Sequence, residues 1–167
     1  HAGWQLGFRD EEKGPMFLQI AKIINTIQPK AFLLENVKGL ATHNGGETLD
    51  IIRRTLKEMG YSFHSKVIKA SDFGLPTHRP RLYMVGFRDT GRLFKFPSAI
   101  KLGLTMSDIL GGSVDRDIGY TLRVGGVNSG IDNRHNWDRY MVDCVDRRIS
   151  VKESARLMGF PEDWTKI

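Results

Sequence analysis

Glu35 and Asn36 interrupt an apolar run. The stretch AFLLENV, residues 31–37, is apolar at five of its seven positions, and the other two are a carboxylate and an amide. A buried carboxylate is costly unless it is paired, hydrogen-bonded or protonated. Either the Glu-Asn pair lies at the exposed end of a buried strand, or the site uses the carboxyl as a proton carrier. Further along, LPTHRPRLYMVGF sets Arg79 and Arg81 just before a second apolar run. A carboxyl can act as a general acid, and a guanidinium can stabilise an oxygen that gains negative charge. Each group also has a plainer reading. Glu35 could pair with Lys38, and the two arginines could be solvated loop charges. A third piece, SVKESARLMGFP, carries Ser150 and, three residues on, Glu153, the pattern of a capping box.

The elements that must hold these residues follow from periodicity. Residues 1–15 are polar and rich in Gly, and read as a loop. Phe17, Ile20, Ile24 and Ile27 form one apolar stripe of a helix that opens near Pro15 and stops at Pro29. AFLLENV reads as a short buried strand. A second helix starts near Glu47, with Leu49, Ile52, Leu56 and Met59 on one face and Gly60 as its stop. YSFHSKVIKA alternates and reads as a strand, DFGLPTHRP as a loop and RLYMVGF as a third strand. This order is the later part of an open α/β sheet, whose last two strands can pair antiparallel at its edge. After about Arg88 the chain turns to Gly, Asp, Asn and Arg. There GYTLRVGG suggests one strand and a turn, and NSGIDNRHNWDRY is polar and irregular. A capped helix over Val151–Met158 ends at Gly159, with Pro161 beyond.

The chain has 167 residues, with 25 Lys+Arg against 19 Asp+Glu and a formal net charge of +6. A basic balance favours a polyanionic partner, although a merely solvated basic surface fits the charge equally. Cys144 is the single cysteine. No intrachain disulfide or cysteine-based metal framework is expected, which fits a reducing cytosol. His43, His64, His78 and His135 show no metal-ligand spacing. No apolar run approaches the ~18 residues of a membrane span, and no signal peptide is visible. The opening HAGWQLGF reads like the middle of a longer chain.

Taken in order, these pieces resemble the cytosine-5 DNA methyltransferases of bacterial restriction–modification systems. In that family a Glu-Asn-Val motif, a Gln-x-Arg-x-Arg motif and an Arg-x-x-x-x-Arg-Glu-x-x-Arg-Leu-x-Gly-Phe-Pro motif follow one another. The opening AGWQLGFRDEEKGPMFLQIAKII is similar to the stretch after the family's Pro-Cys-Gln loop. The resemblance runs nearly end to end and is weakest over 89–146. It implies the later half of a Rossmann-like, S-adenosylmethionine-dependent methyltransferase sheet plus a small irregular target-recognition segment. Residues 1–89 would be the second half of the catalytic domain. Residues 90–146 would read DNA, and residues 147–167 would hold a helix returning to the catalytic domain.

The resemblance also implies site residues. A thiolate adding at carbon 6 of cytosine makes carbon 5 nucleophilic toward the methyl of S-adenosylmethionine and pushes charge onto nitrogen 3 and the carbonyl oxygen. Glu35 would be the carboxyl at nitrogen 3 and Arg81 the guanidinium at the oxygen. Asn36 would help to hold the loop, and Arg79 would brace the site or touch a phosphate. The cytosine would be flipped out of the duplex into this pocket. Arg123, Arg134 and Arg139 are candidates for base edges or phosphates, with Asn128 and Asn133 behind them.

Departures from the family are equally informative. The cofactor loop Phe-x-Gly-x-Gly, the Pro-Cys-Gln nucleophile and the final Gly-Asn-Ser-Val motif are not in the sequence, and Thr77 stands where the family has Gln. Cys144, in VDCVD, reads as a small packed residue rather than the nucleophile. The expectation is therefore part of a cytoplasmic, nucleoid-associated bacterial enzyme, with S-adenosylmethionine bound mainly by residues outside this chain. It would be inactive alone, and would either self-associate or bind a complementing amino-terminal half. The alternative is a non-catalytic DNA-binding or regulatory subunit of a split methyltransferase. Neither a membrane nor a metal is expected as a partner.

Overall fold

The computed structural model describes residues 14–126, 128–161 and 164. The opening stretch 1–13, expected as a loop and carrying part of the family resemblance, lies outside the described residues. The chain divides into two compact units, His1–Ile68 with Pro80–Pro97, and Lys69–Arg79 with Ser98–Ile167.

In the first unit, helix α1 spans Gly14–Ile27. It buries Phe17, Ala21 and Ile24, while Ile27, at the end of the expected stripe, stays exposed. Helix α2 spans Glu47–Glu58 and buries Leu49, Ile52 and Leu56. Strands β1 (Ala31–Val37), β2 (His64–Lys69) and β3 (Pro80–Phe87) form a sheet in the order β1-β3-β2. As expected, β2 and β3 are neighbours at one edge. β3 also takes β1 on its other side, antiparallel, from Ala31 opposite Phe87 to Val37 opposite Arg81.

Alternation fixes the two faces of this sheet. Phe32, Leu82 and Met84 pack with the buried residues of both helices in one core. Gly86 faces Phe32 across the register, and a Cβ there would come within 2.3 Å of the ring. The other face of β1 carries Leu33, Glu35 and Val37. Here the sequence expectation of a buried β1 is corrected. β1 lies at the sheet's end, Phe32 is its one buried residue, and Leu33 and Val37 are 66% and 57% exposed. β2 is also shorter than its alternating sequence suggests. Tyr61 precedes it, buried, with its hydroxyl donating to the Pro29 carbonyl at 2.8 Å.

The second unit has its own core of Met106, Ile109, Leu110, Tyr140, Val142, Ile149 and Leu157. Helix α3, Met106–Leu110, starts at Thr105, whose hydroxyl accepts from the Asp108 N–H in a capping box. Strands β4 (Arg139–Val142) and β5 (Val145–Arg148) form a hairpin. Helix α4, Val151–Leu157, has the expected capping box, with the Ser150 hydroxyl accepting from the Glu153 N–H. The GYTLRVGG segment is not a strand. It contributes a parallel bridge between Gly119 and Thr77, followed by a turn. Thr77 is fully buried, and its hydroxyl donates to the Tyr120 carbonyl at 3.2 Å.

Residues 69–79 pack in this unit. Residues 147–157 also pack here, because Leu157 fills the same core as Met106 and Tyr140. Cys144 is not a small packed residue. It is exposed in the β4–β5 turn, where Asp143 and Cys144 take φ of 50° and 62°.

Candidate active site and nucleic-acid interface

Glu35 and Arg81 lie on the same face of the β1–β3 pair. Glu35 is opposite Tyr83, and Arg81 stands two residues away on β3. Diagonal neighbours in an antiparallel pair are within reach of long side chains. The Arg81 Nε donates to the Glu35 Oε1 at 2.9 Å, while its Nη1 donates to the Pro80 carbonyl at 3.0 Å. The Glu35 side chain is 48% exposed and that of Arg81 18%. The carboxyl is therefore reachable from solvent, while the guanidinium is set into the sheet surface. Asn36 points to the opposite face by alternation, and its Oδ1 accepts from the Val37 N–H at 2.8 Å. It shapes the strand's exit.

The structure thus brings two of the four expected catalytic side chains together, with Arg81 in place of Lys38 as the partner of Glu35. Arg79 lies in the segment grouped with the second unit, with its backbone N–H donating to the Thr77 carbonyl at 3.0 Å.

The five DNA-contact candidates all fall in the second unit, and three gather at one residue. Arg123 donates to the His135 carbonyl at 3.0 Å, Arg134 Nε donates to His135 Nε2 at 3.0 Å, and Asn133 Oδ1 accepts from the His135 N–H at 2.8 Å. Asn128 has φ of 70°, and its side chain accepts from Arg148. Arg148 Nε in turn pairs with the buried Asp138 at 2.9 Å. Arg139, on β4, pairs with Asp146 on β5 at 2.9 Å. These side chains brace the 123–139 loops as well as presenting charge.

Sequence reasoning missed a further group. Asp115, Arg116, Tyr120, Asp132 and Tyr140 line a groove of about 350 Å³. Arg116 donates from Nε and Nη2 to the two Asp115 oxygens at 3.1 and 3.0 Å, and its guanidinium lies over the Tyr120 ring at 4.5 Å. The hydrogen bonds from Arg116 hold the Asp115 carboxyl below its ordinary range. Burial pushes the Tyr140 hydroxyl up to about 12. It stays neutral, accepting from the Tyr120 N–H at 3.0 Å and donating to the Trp137 carbonyl at 3.2 Å. The signal available in the sequence was the Asp-Arg dipeptide just upstream of Tyr120, in a stretch without periodicity.

Among the described residues no cluster of three or more acidic, His or Cys side chains could hold a metal, and no helix is long and apolar enough to cross a membrane.

Comparison with known proteins gives the family. The sequence profile of the C-5 cytosine-specific DNA methylases matches residues 1–122. The chain belongs to the C-5 cytosine-specific DNA methylase family. It is 36% identical to the type II methyltransferase M.NgoBI of Neisseria gonorrhoeae, over 98% of this chain and 60% of that one. It is 46% identical to the type II methyltransferase M.HaeII of Haemophilus aegyptius, over 65% of this chain and 34% of that one. The S. pombe Dnmt2 methyltransferase shares the fold, with a TM-score of 0.61 at 18% identity over 98% of this chain and 65% of that one. The fold is thus α/β, of the methyltransferase type. The chain spans roughly 50–60% of the length of curated relatives that it matches nearly end to end.

Proposed function

We propose that this chain supplies the base-side chemistry and the target-reading part of a DNA cytosine-5 methyltransferase. The observation that carries this reading is the Glu35–Arg81 pair on the accessible face of β1 and β3. Nitrogen 3 and the carbonyl oxygen are adjacent on the cytosine ring. A carboxyl and a guanidinium already within hydrogen-bond distance of each other match that spacing. When the flipped base enters, Arg81 turns its N–H groups to the carbonyl oxygen, and Glu35, parted from Arg81, takes a proton from solvent at its exposed face and passes it to nitrogen 3 as the nucleophile adds. A purely DNA-binding subunit has no use for this pair.

S-adenosylmethionine supplies the methyl group when bound. The groove on α2 lined by Gly45, Glu47, Asp50, Arg53 and Arg54 is open and charged, with no aromatic or apolar wall for an adenine. We assign cofactor binding and the cysteine nucleophile to a complementing amino-terminal part. Residues 1–89 then belong to the catalytic domain and residues 90–146 read the duplex, in the cytoplasm of a bacterium and on its nucleoid DNA. Support for a complementing part comes from β1, an end strand with Leu33 and Val37 exposed, since an open apolar edge is a template for another strand.

The test is single-turnover methylation by the assembled enzyme, beside a binding titration on the same duplex. Glu35→Gln keeps the shape and a hydrogen bond but cannot transfer the proton, so the rate falls by about 10²–10⁴ while affinity changes little. Methylation by Glu35→Gln at the parent rate makes the carboxyl structural and removes the mechanism. The chain alone shows only background transfer, and robust turnover would place the nucleophile at Cys144.

A further inference from the structure

We infer that Arg116, rather than any of the five sequence candidates, reads a guanine edge in the target duplex, with Asp115 and Tyr120 holding it in place. This rests on the DNA methylase reading above. A guanidinium has two usable edges. Asp115 takes the Nε–Nη2 edge of Arg116 through both carboxylate oxygens. That leaves the end-on Nη1–Nη2 edge, which matches the O6 and N7 acceptors of guanine in the major groove. The Tyr120 ring under the guanidinium fixes its plane, and the buried Tyr140 hydroxyl fixes the Tyr120 backbone. A fork that is already stacked and clamped gives up less side-chain freedom on binding than a free arginine.

The lining of the groove argues for a base over a phosphate. Asp115 and Asp132 face it beside Arg116 and Arg139, and Arg139 is already paired with Asp146, so the lining has no excess of positive charge to draw a phosphate. A base pair edge presents donors as well as acceptors, and a carboxylate can accept from the cytosine amino group. By contrast, Arg123, Arg134 and Arg139 each donate to a partner that braces a loop or the hairpin.

The experiment selects duplexes from a randomised pool with the full chain, sequences the retained fraction and repeats the selection with each variant. The parent enriches a sequence containing guanine. Arg116→Ala loses the preference at one G·C position by roughly five- to hundred-fold, the range for one bidentate contact. Arg116→Lys keeps the charge and the salt dependence but also loses that preference, because it has no fork. Copying the pool with 7-deazaguanine, which lacks the N7 acceptor, weakens the parent and leaves Arg116→Ala unchanged. Three results overturn the inference. One is an Arg116→Ala variant that selects the parent sequence. Another is one that loses affinity uniformly with a shallower salt slope, the sign of a phosphate contact. The third is a parent with no preference. The function reading fails separately, if the parent retains no duplex at low salt or if Glu35→Gln methylates at the parent rate.

Discussion

Glu35 faces Tyr83 across β1 and β3, yet its carboxylate pairs with Arg81, the diagonal neighbour, at 2.9 Å. The diagonal matters because both groups lie on the face of the sheet opposite the helices. Neither is consumed by the core, and the two satisfy each other.

On the proposed mechanism, Arg81 has a rate role separable from binding. Losing one preorganised donor at an oxygen that gains charge costs about 10²–10³ in rate. Arg81→Ala in the assembled enzyme shows a loss of that order in single-turnover methylation, with duplex affinity within a few-fold of the parent. Arg81→Lys falls between the two, because a point charge replaces the fork. An equal loss of affinity and rate would make Arg81 a phosphate contact.

The open edge of β1 makes a prediction about assembly. Leu33 and Val37 are more than half exposed on an end strand, the arrangement that invites edge pairing. Without a complementing part the chain self-associates with rising concentration in sedimentation. Leu33→Lys shifts it toward monomer, since a charge on the exposed face of the end strand opposes association there. A parent that stays monomeric across the same range would show that the edge is closed.

Much of the first unit was legible in sequence because its signals are local and periodic. α2 buries the Leu49, Ile52 and Leu56 face that the three-four spacing predicts. In the second unit, α4 begins at the Ser150–Glu153 box within a residue of expectation. Burial of β1 was not legible, because an apolar run shows that a strand wants neighbours but not whether they are present. The β4–β5 hairpin was missed because its turn, Asp143-Cys144, lacks the Asn-Gly signal that usually marks one. The Glu35–Arg81 pair needed the β1–β3 register, a non-local fact. The Arg116 groove gave only a dipeptide and an aromatic in an irregular stretch.

That turn yields a stability prediction. Asp143 and Cys144 take φ of 50° and 62°, the pattern of a tight turn that favours Asn-Gly. A left-handed conformation costs a residue with a Cβ about 1 kcal/mol more than glycine. Cys144→Gly therefore stabilises the chain by about 1 kcal/mol, which is roughly 2–4 °C in Tm at this size. Asn at Asp143 adds to it. A lower Tm in Cys144→Gly would show that the thiol makes a contact worth more than the strain.

The last prediction concerns acid. Glu153 caps α4 and accepts two hydrogen bonds from Arg147, at 2.7 and 3.1 Å, while the Ser150 N–H donates to it at 2.7 Å. Arg147 also donates to the Leu110 carbonyl at 2.5 Å, so one carboxylate ties α4, β5 and the end of α3 together. Burial alone would push the Glu153 carboxyl up. The Arg147 guanidinium and the Ser150 groups outweigh it and hold the carboxyl down at about 2. A depressed folded-state value means that the unfolded chain takes up the proton first as pH falls. The stabilisation is fully present above the unfolded value near 4.5 and is lost as pH drops through about 2. Glu153→Gln removes the charge and keeps the size, so it lowers stability at neutral pH by about 1–2 kcal/mol. The deficit relative to the parent narrows below pH 4.5 and closes near pH 2, because the parent's own carboxyl is then protonated. Urea unfolding of both proteins at pH 7, 4.5, 3 and 2 reads this directly. A gap that stays constant across the series would mean that Glu153 stabilises the unit through packing and not through its charge.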